Sequence, residues 1–125
     1  MKKYLKEFEK LIGIFEKLRS SNGCIWDREQ THKSLIKYLF SESKEVKKAI
    51  DNNDMENLKE ELGDILLQVV FHSQIAKENG EFSISDVVKT LNQKLVRRHP
   101  HVFGTCKVKT VKDVERLWKE IKAKE

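Results

Sequence analysis

Apolar residues recur at spacings of three and four along most of the chain, the period of helices with one buried face. From Tyr4 to Leu18 the stripe is Leu5, Phe8, Leu11, Ile12, Phe15 and Leu18. Ser20-Ser21-Asn22-Gly23 stops it with residues that favour turns. Cys24 to Gln30 follows neither the helical nor the strand period and reads as an ordered loop. Thr31 is placed to N-cap a second helix running to about Ile50, and Asp54 to cap a third running to about Lys77. Asn79-Gly80 closes that third helix. Ser83 and Asp86 have capping-box spacing ahead of Val87, Val88, Leu91, Leu95 and Val96. His99-Pro100 halts this helix, because the residue before proline disfavours the α conformation. After a loop around Phe103-Gly104, Thr110 and Asp113 start a last helix with Val114, Leu117, Trp118 and Ile121 on one side. With no strand pattern, repeat or linker, the chain is expected to be a single all-α domain over residues 1–125.

Two acidic pairs interrupt the apolar stripes. Glu42 and Glu45 lie at the margin of the stripe formed by Leu35, Leu39 and Val46, and Glu61 and Asp64 lie beside Leu62, Ile65 and Val69. Each pair is spaced i, i+3, so both side chains share one helix face. Either pair alone is ordinarily a solvated face. Two pairs on helices joined by the short polar break Asp51–Asn57, and therefore antiparallel neighbours, converge four carboxylates on one spot. Carboxylates facing a core need compensation, and a hard cation such as Mg²⁺ supplies it through oxygen ligands. Gly63 sits between them, and a helical glycine costs about 1 kcal/mol relative to alanine, which hints at close approach by a helix or a ligand. A di-iron bundle calls for Glu-x-x-His; neither Glu42 nor Glu61 is followed by histidine at that spacing, and His72 reads as a core-edge or supporting residue.

Charge and composition narrow the partners. The net charge of +5 favours an anionic partner without choosing among nucleotide, nucleic acid and membrane surface. Lys94 and Arg98 share a face at i, i+4, with Arg97 pointing elsewhere, and arginine forks suit phosphate oxygens. The bland alternative is a solvated basic helix end. Trp118 with Lys122, and Trp26 in its loop, read first as packing residues. Cys24 and Cys106 form no CxxC, so a disulfide or zinc framework has little support. The charged N-terminus lacks the apolar core of a signal peptide, and no apolar run reaches membrane-spanning length; a soluble cytoplasmic protein is expected. At 125 residues the chain buries roughly two-thirds of its unfolded surface, which suits a subunit whose core is completed by pairing.

The strings Trp26-Asp27-Arg28-Glu29-Gln30-Thr31-His32, Glu42-x-x-Glu45, Glu60 through His72, Lys94 through Gly104, and the ending Trp118 to Lys122 together resemble the MazG family, in order and from roughly Leu18 onward. The resemblance implies an all-α nucleoside triphosphate pyrophosphohydrolase that cleaves an NTP or dNTP to the monophosphate and pyrophosphate. It implies Mg²⁺, with Mn²⁺ as a substitute, on Glu42, Glu45, Glu61 and Asp64, and nucleotide contacts at Tyr38, Lys59, Lys94, Arg98 and Trp118. It also implies a homodimer or dimer of dimers, with no membrane partner and no nucleic-acid partner. Two positions depart from the family pattern: Ser41 replaces the first Glu of EExxE, and Ile25 replaces the proline of Cys-Pro-Trp-Asp. The loss at Ser41 gives standing to a competing reading, a catalytically weakened helical module that binds nucleotide or nucleic acid as a regulator.

Overall fold

Seven helices and no strand make up the chain, described over residues 1–125 in a computed structural model. The helices divide between two compact units, Met1–Ile84 and Ser85–Glu125. The first holds α1 (Lys3–Leu18), α2 (Ile25–Glu29), α3 (His32–Asp51) and α4 (Met55–Glu78). The second holds α5 (Ile84–Arg97), α6 (Pro100–Phe103) and α7 (Val111–Lys124).

In the first unit α3 packs along α4, and α1 packs on α4. The starts of α3 and α4 are set by the expected caps. Thr31 accepts from the Ser34 amide while the Ser34 hydroxyl accepts from the Thr31 amide, and Asp54 accepts from the Asn57 amide. At the far end of α4, Gly80 adopts φ +72° and the Glu81 amide donates back to Ala76, the left-handed stop a Cβ would resist. The core joins Phe15 of α1, Leu35 of α3 and Val70, Phe71 and Ile75 of α4. Phe15 and Phe71 meet edge to face at 4.5 Å. Burying each of these large side chains contributes about 1.5–3 kcal/mol, so the three helices are locked at this one junction.

Three expectations are corrected. Cys24–Gln30 is not a loop throughout, because residues 25–29 form α2. Five residues are too few to show a period; the turn is held by tertiary bonds. Arg19 donates to the carbonyls of Asp27 and Gln30 and forks onto Glu78, pinning α2 between α1 and α4. Ile25 occupies the first position of α2, where an amide has no helical partner in any case, so the helix forms without the family's proline. The loop before Gly104 likewise contains a short helix, α6, with Pro100 at its start. At Gly63 no close approach exists within the protomer: a Cβ there meets nothing within 4 Å.

In the second unit Thr110 caps α7 in a reciprocal box with Asp113. Arg97 and Arg98 do not diverge as the helical count suggests. Both reach Glu125, at 2.5 and 2.8 Å.

Candidate active site

The side chains of α3 and α4 meet at Glu42, Glu61 and Asp64, whose ligand oxygens all lie within 4.8 Å of one another. All three are half-buried. The antiparallel register explains the meeting: α3 and α4 are joined by only Asn52–Asp54, so positions ten residues before that turn face positions ten after it. Crowding like charges has a measurable consequence. Glu42 keeps its proton up to about 7, chiefly because its carboxyl shares a hydrogen bond with Glu61. Burial and the charges of Asp64, Glu61 and Glu45 push the same way. Its Oε2 is enclosed and has no hydrogen-bond partner. An orphaned carboxylate oxygen among converging carboxylates is the donor set a hard divalent cation fits. Glu45 stands outside the tight trio but near enough for its charge to act on Glu42. Ser41 is exposed and takes no part in the trio.

A cavity of about 210 Å³ opens beside the carboxylates. Glu42 and Asp64 form one end of it, and Trp26, Tyr38 and Phe71 supply aromatic walls. Trp26 stands edge-on to Tyr38 at 5.8 Å and to Phe71 at 6.5 Å. Gln68, one turn beyond Asp64, also lines the cavity; it is 7% exposed and its Oε1 has no partner. Arg19 did not stand out in the sequence. Gln68 continues the row of Glu61 and Asp64, which is the only signal that marks it.

His72 supports the same helix pair. It stacks on His32 with the rings 7° from parallel and the two Nδ1 atoms 2.7 Å apart, one ring donating and the other accepting. Burial, and then the neighbouring His32, hold its pKa below the ordinary imidazole value.

Lys59 is exposed, pairs with Glu56 at 2.9 Å and lines an apolar groove with Tyr4, Phe8 and Leu66, not the carboxylate cavity. Lys94, Arg98 and Trp118 belong to the second unit. There Lys94 is half-buried, Arg98 is bound by Glu125, and Trp118 packs edge-on to His99 at 5.5 Å.

Comparison with known proteins identifies the family. Residues 30–103 match the MazG nucleotide pyrophosphohydrolase domain. The chain is 57% identical over 118 residues to the nucleoside triphosphate pyrophosphohydrolase/pyrophosphatase MazG of Thermotoga maritima, covering 94% of this chain and 45% of that protein. It is 40% identical over 122 residues to the nucleoside triphosphate pyrophosphohydrolase of Escherichia coli, covering 97% of this chain and 46% of that protein. The chain thus spans less than half the length of these curated relatives. A crystal structure of a mazG-related protein from Thermotoga maritima superposes with a TM-score of 0.75 at 30% identity, over 92% of this chain and 98% of that one. With the matched domain spanning more than half of the sequence and its acidic motifs facing one another across α3 and α4, the chain belongs to the MazG nucleotide pyrophosphohydrolase family.

Proposed function

We propose that the chain hydrolyses nucleoside triphosphates, NTP or dNTP, to the monophosphate and pyrophosphate in a Mg²⁺-dependent reaction. The observation that carries this is the convergence of Glu42, Glu61 and Asp64 from two facing helices. Those three would hold the ion, with Glu45 as a further ligand, and Mn²⁺ could replace Mg²⁺. Such an ion neutralises phosphate oxygens and makes a water acidic enough to attack at neutral pH. The residues themselves orient the triphosphate against the cavity mouth, and Glu42 gives up its proton when the ion binds. At the basic end of α5, Lys94 and Arg98 are suited to phosphate charge, with Arg98 exchanging its Glu125 partner for phosphate oxygens. In the same unit the aromatic face of Trp118 suits a nucleotide contact.

The chain also works as a dimer or dimer of dimers in this reading. Support comes from α4, where Met55, Leu62, Leu66 and Val69 leave an exposed apolar row beside the open face at Gly63.

Incubating the protein with a panel of triphosphates, with and without Mg²⁺, tests the activity through pyrophosphate release. Release should require the ion, and Glu61→Gln should lower it by about 100-fold or more with the helical signal unchanged. Near-normal release from that variant would refute the assignment. Nucleotide or nucleic-acid binding without release would favour the regulatory module.

A further inference from the structure

The outer face of α3 differs in charge from those of α1 and α7. At about 100° per residue, Lys33, Lys37, Phe40, Lys44, Lys47 and Lys48 fall within one narrow arc of the helix. All six are exposed. On the opposite side Leu35 and Ala49 are buried, and Glu42 meets the carboxylates of α4. The row therefore runs about 22 Å along the helix with its back to the cation site.

This face carries charge of one sign. Its single acid, Asp51, sits at the end of the row and pairs with Lys47 at 2.5 Å. None of Lys33, Lys37, Lys44 and Lys48 is paired with a carboxylate. Lys37 rests over the Tyr38 ring at 5.2 Å, an exposed and weak contact. By contrast α1 and α7 interleave lysine with glutamate. A helix that needs only a solvated face gains from opposite charges at i, i+4. Lys33 with Lys37 and Lys44 with Lys48 are like-charged pairs at that spacing, which weaken the helix until an anion lies across them. Ser41 is exposed at the edge of the row between Lys37 and Lys44, where the family pattern has Glu. That exchange removes the carboxylate that would interrupt the row.

Phe40, 64% exposed, stands in the middle, three residues after Lys37 and four before Lys44. A bare ring between cations suits single-stranded nucleic acid, the cations tracking phosphates and the ring stacking on a base. An anionic membrane attracts the same lysines, but a helix lying on one buries a broad apolar face there. The apolar face of α3 is occupied by α4, which leaves only Ile36 beside Phe40. Independently of the hydrolysis proposed above, and in departure from the family expectation, we propose that the outer face of α3 over residues 33–48 binds single-stranded nucleic acid. The unpaired lysines contact phosphates, and Phe40 stacks on a base.

Fluorescence anisotropy of labelled dT and rU strands of about 20 nucleotides, longer than the site, tests this. Both should bind the wild-type protein in about 50 mM salt. The logarithm of the binding constant should fall against that of salt with a slope of about −3, as four phosphate contacts on a single strand give. Ser41→Glu should weaken binding by on the order of 10-fold by restoring a carboxylate to the row. Lys37→Gln combined with Lys44→Gln should flatten the slope by about 1.4. Phe40→Ala should weaken binding about 5-fold or more without altering the slope, which separates stacking from charge. None of these side chains belongs to the core, and circular dichroism checks that each variant keeps its helices. Failure of both strands to bind in about 50 mM salt would overturn the proposal. So would affinity and slope left unchanged by Ser41→Glu and by the lysine pair, since binding would then lie elsewhere. Vesicles of phosphatidylcholine and phosphatidylserine supply the other anionic surface. Attachment to them with no binding of either strand would make this face a membrane contact, and the proposal would fall.

Discussion

Glu42 is the residue on which the proposed cation site turns. Its carboxyl stays protonated to about 7, against an ordinary value of 4.5, because it shares a hydrogen bond with Glu61 and is surrounded by further negative charge. A divalent cation must displace that proton. Uptake of Mn²⁺ at pH 6 should therefore release roughly one proton per ion and close to none at pH 8.5. Calorimetry in buffers of different ionisation enthalpy reads this directly, and Glu42→Gln should abolish the difference. The linked effect on stability has a definite sign. The folded state holds the proton where the unfolded chain has lost it, so the ion-free fold loses stability as pH rises from 4.5 towards 7. Spacing alone marked Glu42, Glu61 and Asp64, because i, i+3 pairs on facing helices have few ways to diverge. Arg19 escaped notice for the opposite reason: it acts through Glu78, 59 residues away, and leaves no local pattern. Gln68 shares the row of Glu61 and Asp64, but its unfilled bond is visible only in the fold.

Among the elements, α3 and α4 were legible down to their caps, since Thr31 and Asp54 perform the role their chemistry suits. The short α2 was not, because its five residues are held by Arg19 and not by periodicity. Gly63 misled in a different way: no other helix of the chain approaches it, and a Cβ there would meet open space. The joint between α3 and α4 brings the carboxylates together midway along α3 and sets His32, at the start of α3, against His72. Burial and His32 depress the pKa of His72 below 6.5, so His72 in its neutral form stabilises the joint above that pH. This contribution is lost as pH falls through the depressed value, opposite in sign to the effect of Glu42. Imidazole NMR titration should find His72 below the ordinary value. Replacing His32 with Asn should raise it part of the way back, with burial retaining the remainder; no change would mean that His32 exerts no electrostatic effect on it.

For the whole molecule, the all-α class follows from a helical period that is nearly unbroken, while the apolar surface it leaves bare follows from α4 having more than one greasy side. Leu62 is 51% exposed and Leu66 39%, next to Tyr4 and Leu5 of α1. No helix is long and apolar enough to cross a membrane. In the proposed assembly a second copy of the chain covers this row. Leu66→Lys should shift the sedimentation mass from two or more chains to one, and a wild-type protein already monomeric at micromolar concentration would contradict the pairing. The central claim is narrower than assembly or substrate choice: α3 and α4 are held together so that their acidic residues form one cation site. Titration with Mn²⁺, followed by electron paramagnetic resonance of the free ion, measures it without reference to turnover. Wild-type protein should take up Mn²⁺, and Glu61→Gln and Asp64→Asn should each weaken uptake by on the order of 10-fold or more. Unchanged Mn²⁺ affinity in both variants would contradict it.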